Sequence, residues 1–175
     1  NSWLSEEGRK GAIEKMTKAK LQLVKPLNDD EWWFNPPVTV AIDKPIANGD
    51  ALDLALTKRM YSELTKTRNR DRWAMGPLTV NAYYSPTDNK FVVPIGILQD
   101  PFYDPNLQVE VNLGAVGAVI GHELGHGIDD QGAKYDSEGK LRQWMSEKDI
   151  ENFRTRGKKF VEQFNQIGHN GELTL

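Results

Sequence analysis

The chain of 175 residues contains no cysteine, so it can form neither a disulfide framework nor a thiolate metal site. A bound metal would need histidine, aspartate or glutamate as ligands. Positive charge is not in excess either, because 22 basic and 25 acidic residues give a formal net charge of -3. This balance argues against nucleic acid as a partner, since phosphate binding requires clustered lysine and arginine. The longest apolar run, residues 113–121, is about half of what a bilayer span needs, so we expect no membrane span.

The first part of the chain has helical patterns separated by a proline-rich segment. Ser5 is a suitable N-cap for a helix with acidic residues in its first turn and lysines in later turns. Its predicted buried face contains Ala12, Ile13, Met16, Ala19 and Leu23. Residues 25–47 are predicted as a loop with one strand at most, at 38–42, and a second helix is predicted from Asp50. We predict that residues 1–75 form a mainly helical segment that leads into a second region at 76–175.

The second part begins with extended runs and ends in helices. Residues 78–84 and 91–98 flank a turn-rich segment, which predicts a β-hairpin. A helix over residues 113–127, capped by Asn112, is apolar on most sides and is therefore predicted to be buried. Ser146 and Asp149 resemble a capping box at the start of a last helix. The residues of that helix predicted to face inward are Phe153, Phe160, Val161 and Phe164.

The predicted buried helix contains the motif H-E-x-x-H, formed by His122, Glu123 and His126. Because four residues are little more than one helical turn, both imidazoles leave the same face and can bind one ion. Neutral imidazole suits Zn²⁺, and a catalytic zinc has three protein ligands and one open position. Glu123 projects beside that position, where a carboxylate can accept a proton from water attacking a carbonyl. The alternative is a pair of core histidines with Glu123 on the surface, and burial of such groups without a ligand would be costly.

Two aspartates follow the second histidine. Asp129 can either accept a hydrogen bond from a ligand imidazole or simply cap the helix exit, and the sequence leaves both interpretations open. For Asp130 the solvated interpretation is favoured. The metzincin pattern requires glycine at 129 and histidine at 132, where this chain has Asp129 and Gly132, so that subclass is excluded.

Three segments carry the motifs of a known family: residues 80–84 (V-N-A-Y-Y), 94–102 (P-I-G-I-L-Q-D-P-F) and 119–132 (V-I-G-H-E-L-G-H-G-I-D-D-Q-G). Together they resemble the neprilysin-like, or M13, family of zinc metallopeptidases. The likeness continues through Asp136, Gly139, Leu141, Trp144 and Phe153 to residues 170–175. It implies an α+β fold, namely part of a thermolysin-like zincin catalytic domain with a β-hairpin, an edge strand and a buried H-E-x-x-H helix.

The resemblance also implies roles for individual residues. His122 and His126 would bind Zn²⁺, Glu123 would be the catalytic base, and Asp129 would lie behind the ligands. In the family, an edge strand binds the substrate backbone, which points to Asn81 and Ala82, and Val119 would help to line the pocket for the residue after the scissile bond. The family's third zinc ligand is a glutamate beyond the counterpart of Leu175. His169, the third histidine, is interpreted as a solvated loop residue.

The sequence therefore predicts a zinc metalloendopeptidase that hydrolyses oligopeptides, with this chain as an incomplete active site. The alternative is a non-catalytic peptide-binding or structural domain. Both ends look like cuts, because the chain starts at Asn1 without a signal-peptide pattern and lacks a stop pattern at Leu175. The predicted partners are an oligopeptide and, through exposed apolar surface, a second copy or the missing C-terminal part. Animal members of the family are disulfide-bonded, so the resemblance together with the lack of cysteine favours a bacterial source. Cytoplasmic and exported locations are both open.

Overall fold

A computed structural model describes residues 3–31 and 38–166. The helices are α1 (Glu6–Lys18), α2 (Pro45–Glu63), α3 (Val109–Gly114), α4 (Val116–Gly125) and α5 (Glu147–Gln166). The strands are β1 (Lys20–Val24), β2 (Tyr83–Ser85) and β3 (Lys90–Pro94), with short 3₁₀ helices at Asp29–Glu31, Ile95–Ile97 and Gly132–Lys134. The predicted α+β class is confirmed. In the part of the chain described here, no helix is long and apolar enough to cross a membrane.

The strands form one sheet in the order β1-β3-β2. The predicted hairpin is confirmed, although its strands are shorter than the extended runs in the sequence. After β3 the chain turns into a 3₁₀ helix at Ile95–Ile97. Gly96 of this 3₁₀ helix packs against residues 78 and 79, which precede β2. The contact is so close that a Cβ added to Gly96 would lie 2.5 Å from their backbone atoms. Strand β1 was not predicted, because its residues resemble a continuation of the α1 pattern.

The chain packs as two compact units, each made of separated segments. The first, here called the motif unit, contains Asn1–Lys20, Tyr84–Lys90 and Gly121–Leu175, and the second contains Leu21–Tyr83 and Phe91–Ile120. Buried apolar residues of the second unit are Trp73, Ala82, Phe91, Val92, Val93, Ile97 and Val116. The motif unit buries many polar side chains: Lys15, Asn89, Lys90, Glu123, Asp136 and Asp149. The division of the sequence at residue 75 remains a prediction.

Helix α1 begins as predicted, since Ser5 Oγ accepts a hydrogen bond from the Gly8 N–H at 3.0 Å. Its predicted buried face is wrong in part. The helix ends at Lys18, Leu23 lies in β1, and Ile13 and Met16 are exposed. Ala12 is buried as predicted, but its buried neighbour one turn later is Lys15. The spacing of Lys15 places it on the buried face, but its charge favours the solvated one, which is why this residue was missed.

The capping box at the start of α5 is confirmed, and its carboxylate also binds the N-cap residue of α1. The Asp149 N–H donates to Ser146 Oγ at 3.1 Å, and the buried Asp149 carboxylate accepts from the hydroxyls of Ser146 (2.8 Å) and Ser5 (2.7 Å). It also accepts from the backbone N–H of Ser5 at 2.6 Å. One carboxylate therefore joins the N-termini of two helices. Burial opposes its charge, but these hydrogen bonds outweigh burial and lower the Asp149 pKa.

We expect Asp149→Ala to lower the free energy of unfolding by about 3 kcal/mol, because four donors lose a charged acceptor. Since the folded-state pKa is depressed, this stabilisation is complete above the ordinary carboxyl pKa and is lost as pH falls through the folded value. The difference between wild type and variant in urea unfolding should shrink in acid. Exposed Glu151→Ala on the same helix is the control, expected to change stability by less than about 0.5 kcal/mol. An equal loss in both variants would contradict the account.

The predicted helix over residues 113–127 is two helices, broken at Ala115, whose φ of -98° and ψ of -93° are not helical. Asn112 lies inside α3 and is not a cap. Its side chain accepts from the N–H of Asp104 at 3.0 Å and donates to the carbonyl of Asp104 at 2.7 Å. This contact with a preceding loop cannot be read from the helical pattern.

Other boundaries and faces also differ from prediction. Helix α2 begins at Pro45, five residues before the predicted Asp50, and residues 38–42 form no strand. Phe160, Val161 and Phe164 of α5 are exposed, and the predicted burial of α4 holds for Val116 and Glu123 only. Among the described residues, the remaining apolar positions of these helices are exposed or only partly buried. The interpretations of His169 and residues 170–175 concern positions outside the described residues.

Candidate metal centre

The histidines of the H-E-x-x-H motif lie side by side at the end of α4. His122 is in the last turn of the helix, and His126 follows the last helical residue, Gly125. The His126 N–H still donates to the His122 carbonyl at 3.2 Å, so the four-residue spacing keeps both rings on one face. Their Nε2 atoms are 3.0 Å apart, and the rings meet at 84°. Both side chains are exposed and can be reached by an ion.

Glu123 is buried beside this pair, with 6% of its surface exposed. One oxygen of its carboxylate and one nitrogen of each histidine all lie within 4.8 Å of one another. A carboxylate at this distance can reach a water molecule held between it and the imidazoles. Within the described residues, these three side chains are the cluster that could bind a metal ion.

Asp129 contacts the second histidine. Its Oδ2 lies 2.7 Å from His126 Nδ1, and its Oδ1 accepts from the backbone N–H groups of Gln131 at 2.9 Å and Gly132 at 2.7 Å. Burial opposes the charge of Asp129, but the hydrogen bonds from Gly132, His126 and Gln131 outweigh it and lower the Asp129 pKa. A carboxylate only accepts hydrogen bonds, so His126 Nδ1 must donate and its Nε2 presents a lone pair.

Both contacts expected of Asp129 are present: one carboxylate oxygen contacts a motif imidazole, and the other accepts from backbone N–H groups just after the helix. Asp129 contacts the imidazole, whereas Asp130 is exposed and accepts from the Gln131 side chain at 2.6 Å. The loop after the motif, residues 127–135, is here called the exit loop. It carries Asp129 to the side of His126 opposite the Nε2 pair.

The donor set fits a zinc ion. Two imidazoles and a nearby carboxylate offer the kinds of nitrogen and oxygen atoms that Zn²⁺ accepts. At typical Zn–N distances of about 2.0–2.1 Å, two tetrahedral ligand nitrogens are separated by roughly 3.4 Å. The observed 3.0 Å between the Nε2 atoms needs only a small ring rotation to reach that value.

The residues expected to bind substrate lie elsewhere on the chain. Asn81 and Ala82 immediately precede β2 and are not part of the strand, which corrects their predicted place within it. Asn81 is exposed, and its side-chain oxygen accepts from the Ala82 N–H at 2.8 Å. Val119 is half-buried in α4, three residues before His122. Sheet order does place β2 at an edge, next to β3 alone.

Lys15 is the residue near this centre that sequence reasoning missed. Its ammonium donates to carbonyl oxygens of the exit loop, those of Gly132 and Tyr135. The available signal was its position three residues after Ala12 and four before Ala19, on the face predicted to be buried.

Comparison with known sequences gives one family and several relatives. Residues 81–173 match the profile of peptidase family M13. Endothelin-converting enzyme 1 of Rattus norvegicus is 48% identical over 110 residues, which are 63% of this chain and 14% of that protein. Neprilysin-3 of Drosophila melanogaster is 35% identical over 186 residues, covering 97% of this chain and 22% of that protein. This second match extends the likeness over the first seventy residues, where motifs alone showed little of it.

Comparison with solved structures supports the same relationship. The zinc metalloprotease ZMP1 of Mycobacterium tuberculosis, solved with an inhibitor, superposes with a TM-score of 0.87 and 37% identity. The superposition covers 97% of this chain and 25% of the ZMP1 chain. The chain thus spans about a quarter or less of the relatives that it matches.

Proposed function

The chain belongs to peptidase family M13, and we propose that it carries part of the active site of a zinc metalloendopeptidase acting on oligopeptides. The observation that carries this proposal is the geometry of the motif. Two imidazole Nε2 atoms lie 3.0 Å apart, Glu123 is buried beside them, and Asp129 lies behind His126. The core-histidine interpretation requires buried rings, whereas both rings are exposed and directed at each other.

His122 and His126 would bind the zinc through Nε2. When bound, Zn²⁺ polarises a substrate carbonyl and lowers the pKa of water to about 7. Asp129 holds the Nδ1 proton of His126, so that its Nε2 lone pair remains available. Because a catalytic zinc usually has three protein ligands, we propose that the third comes from outside this chain. The described residues of the metal-binding cluster offer only Glu123 besides the histidines.

Glu123 acts as the general base in this proposal. Its carboxylate accepts a proton from the attacking water and then transfers that proton to the nitrogen of the leaving amine. Burial keeps the carboxylate in a fixed position close to the histidines. A second carboxylate is not needed for these two proton transfers.

An extended oligopeptide would lie along the β2 edge of the sheet. An edge strand offers unpaired backbone N–H and C=O groups, which pair with a peptide as an added strand would. Asn81 precedes this edge and is exposed, so its amide can bind the peptide backbone. We propose Asn81 and Ala82 as substrate-binding residues, and Val119 as a residue that helps to line the pocket for the residue after the scissile bond. Association with a second copy or with a C-terminal part remains a prediction.

Removal of the metal tests the proposed function. We expect the natural protein that contains this chain to cleave a quenched oligopeptide, to lose this activity on dialysis against a chelator, and to regain it with Zn²⁺. Cleavage that survives full removal of the metal would contradict the proposal. Peptide binding without cleavage, equal with and without zinc, would support the non-catalytic alternative.

A further inference from the structure

Lys15 is almost completely buried in the motif unit, with 1% of its surface exposed. Its ammonium donates to the backbone carbonyls of Gly132 and, at 2.7 Å, of Tyr135. Both acceptors belong to the exit loop, whereas Lys15 belongs to α1. A buried ammonium is costly, and an apolar residue would fill the same space at lower cost. The burial of Lys15 is therefore explained better by the two carbonyl groups that its ammonium binds than by packing.

Gly132, the first acceptor, lies directly against the second histidine. A Cβ added to Gly132 would lie 1.8 Å from the His126 carbonyl oxygen and 2.7 Å from the Gly127 carbonyl carbon. The N–H of Gly132 donates to Asp129 Oδ1 at 2.7 Å, and its carbonyl accepts from Lys15. The backbone of one residue thus links the lysine to the carboxylate that orients the imidazole.

The ammonium is held in place from several sides. Its nitrogen lies 5.9 Å from the centre of the Tyr84 ring and 5.8 Å from that of the Trp144 ring, within the range of cation–π attraction. The backbone of Lys15 is held as well, because Asn89 donates to its main-chain carbonyl at 2.9 Å and accepts from the Tyr84 hydroxyl at 2.7 Å. Burial lowers the pKa of Lys15 to about 8, while the carboxylates of Asp129 and Asp136 act in the opposite direction and favour the charged form.

We propose that Lys15 is a positioning residue, which holds the exit loop so that Asp129 fixes the ring orientation of His126. The contacts run from the Lys15 ammonium to the Gly132 carbonyl, from the Gly132 N–H to Asp129, and from Asp129 to His126 Nδ1. This inference rests on the proposed function, since the oriented nitrogen is a proposed zinc ligand. Lys15 itself touches neither histidine.

Zinc affinity provides the first test. In the natural protein that contains this chain, we expect Lys15→Met to weaken zinc binding about 10–100-fold in chelator competition, as loss of an outer hydrogen bond to a ligand does. Lys18→Met is the matched control, because Lys18 also joins α1 to a later segment through Glu138 but does not contact the exit loop. That variant should bind zinc as wild type does.

A double-mutant cycle shows whether Lys15 acts through Asp129. If it does, Asp129→Asn and Lys15→Met should each weaken zinc binding, and the double variant should be little weaker than Asp129→Asn alone. Fully additive effects would overturn the proposal, because Lys15 would then act by another route. An unchanged zinc affinity in Lys15→Met would overturn it as well.

A readout without zinc separates this proposal from the proposed function. Nitrogen-15 NMR of the metal-free wild-type protein should show His126 with its proton on Nδ1, and Lys15→Met should show a mixture of both tautomers. A folded Lys15→Met variant with the wild-type tautomer would overturn the inference even if zinc binds. Failure of wild-type protein to bind zinc would contradict the proposed function, and the tautomer measurement would still decide the role of Lys15.

If Lys15→Met does not fold, the coupling can be measured from the other end, because it is reciprocal. Asp129→Asn should shift the NMR signal of the Lys15 ammonium and leave that of Lys18 in place. Equal response, or no response, of the two lysines would overturn the inference.

Discussion

Replacement of Glu123 by glutamine is expected to lower kcat for oligopeptide cleavage by about 10²–10⁴-fold, the usual contribution of a general base. Glutamine has the same shape, so the buried position beside the two histidines should accept it without rearrangement. It cannot accept a proton from water at neutral pH. Zinc content and melting temperature should therefore stay at their wild-type values while the catalytic rate falls.

Glu110→Gln is the control for this change, because it makes the same substitution at an exposed position of α3. Its kcat should equal that of wild type. Retention of most of the activity by Glu123→Gln would remove Glu123 from the role of base. Loss of zinc together with activity would instead mean that Glu123 supports the metal-binding residues.

Replacement of His126 by alanine is expected to abolish zinc binding, and with it peptide cleavage. The substitution removes one of two nitrogens that converge within 3.0 Å, and it leaves Asp129 without the imidazole that it orients. The loss of affinity should exceed the roughly 10–100-fold cost of changing an outer hydrogen bond. Metal analysis after dialysis at fixed free zinc measures it.

His169→Ala is the matched control, since it changes the third histidine of the chain, which is not part of the motif. It should retain both zinc and activity. Full zinc content in His126→Ala, or equal loss in both variants, would contradict the assignment of the metal site to the motif.

Features encoded by neighbouring residues could be predicted from the sequence. Four such features depend on spacings of a few residues: the Ser5 cap, the hairpin of β2 and β3, the capping box of Ser146 and Asp149, and the convergence of His122 and His126. In each case the groups that interact are a few residues apart, so the geometry of the helix or turn determines which of them come into contact.

Features decided by distant segments could not be predicted in this way. The break at Ala115 follows a helix whose Asn112 binds a loop eight residues away, and burial of Lys15 depends on a loop more than a hundred residues later. The start of β2 at Tyr83 likewise leaves Asn81 and Ala82 outside the strand. Periodicity does not record such long-range partners, because it reports only which positions share a face.

The most direct test of the central claim is anomalous X-ray diffraction at the zinc absorption edge, on crystals of the natural protein equilibrated with Zn²⁺. The account predicts an anomalous peak about 2.0–2.1 Å from the Nε2 atoms of both His122 and His126. The Glu123 carboxylate should lie next to the coordination position of the zinc that no protein ligand occupies. A peak at other residues, or none at the motif with zinc in excess, would contradict the assignment of a catalytic zinc centre.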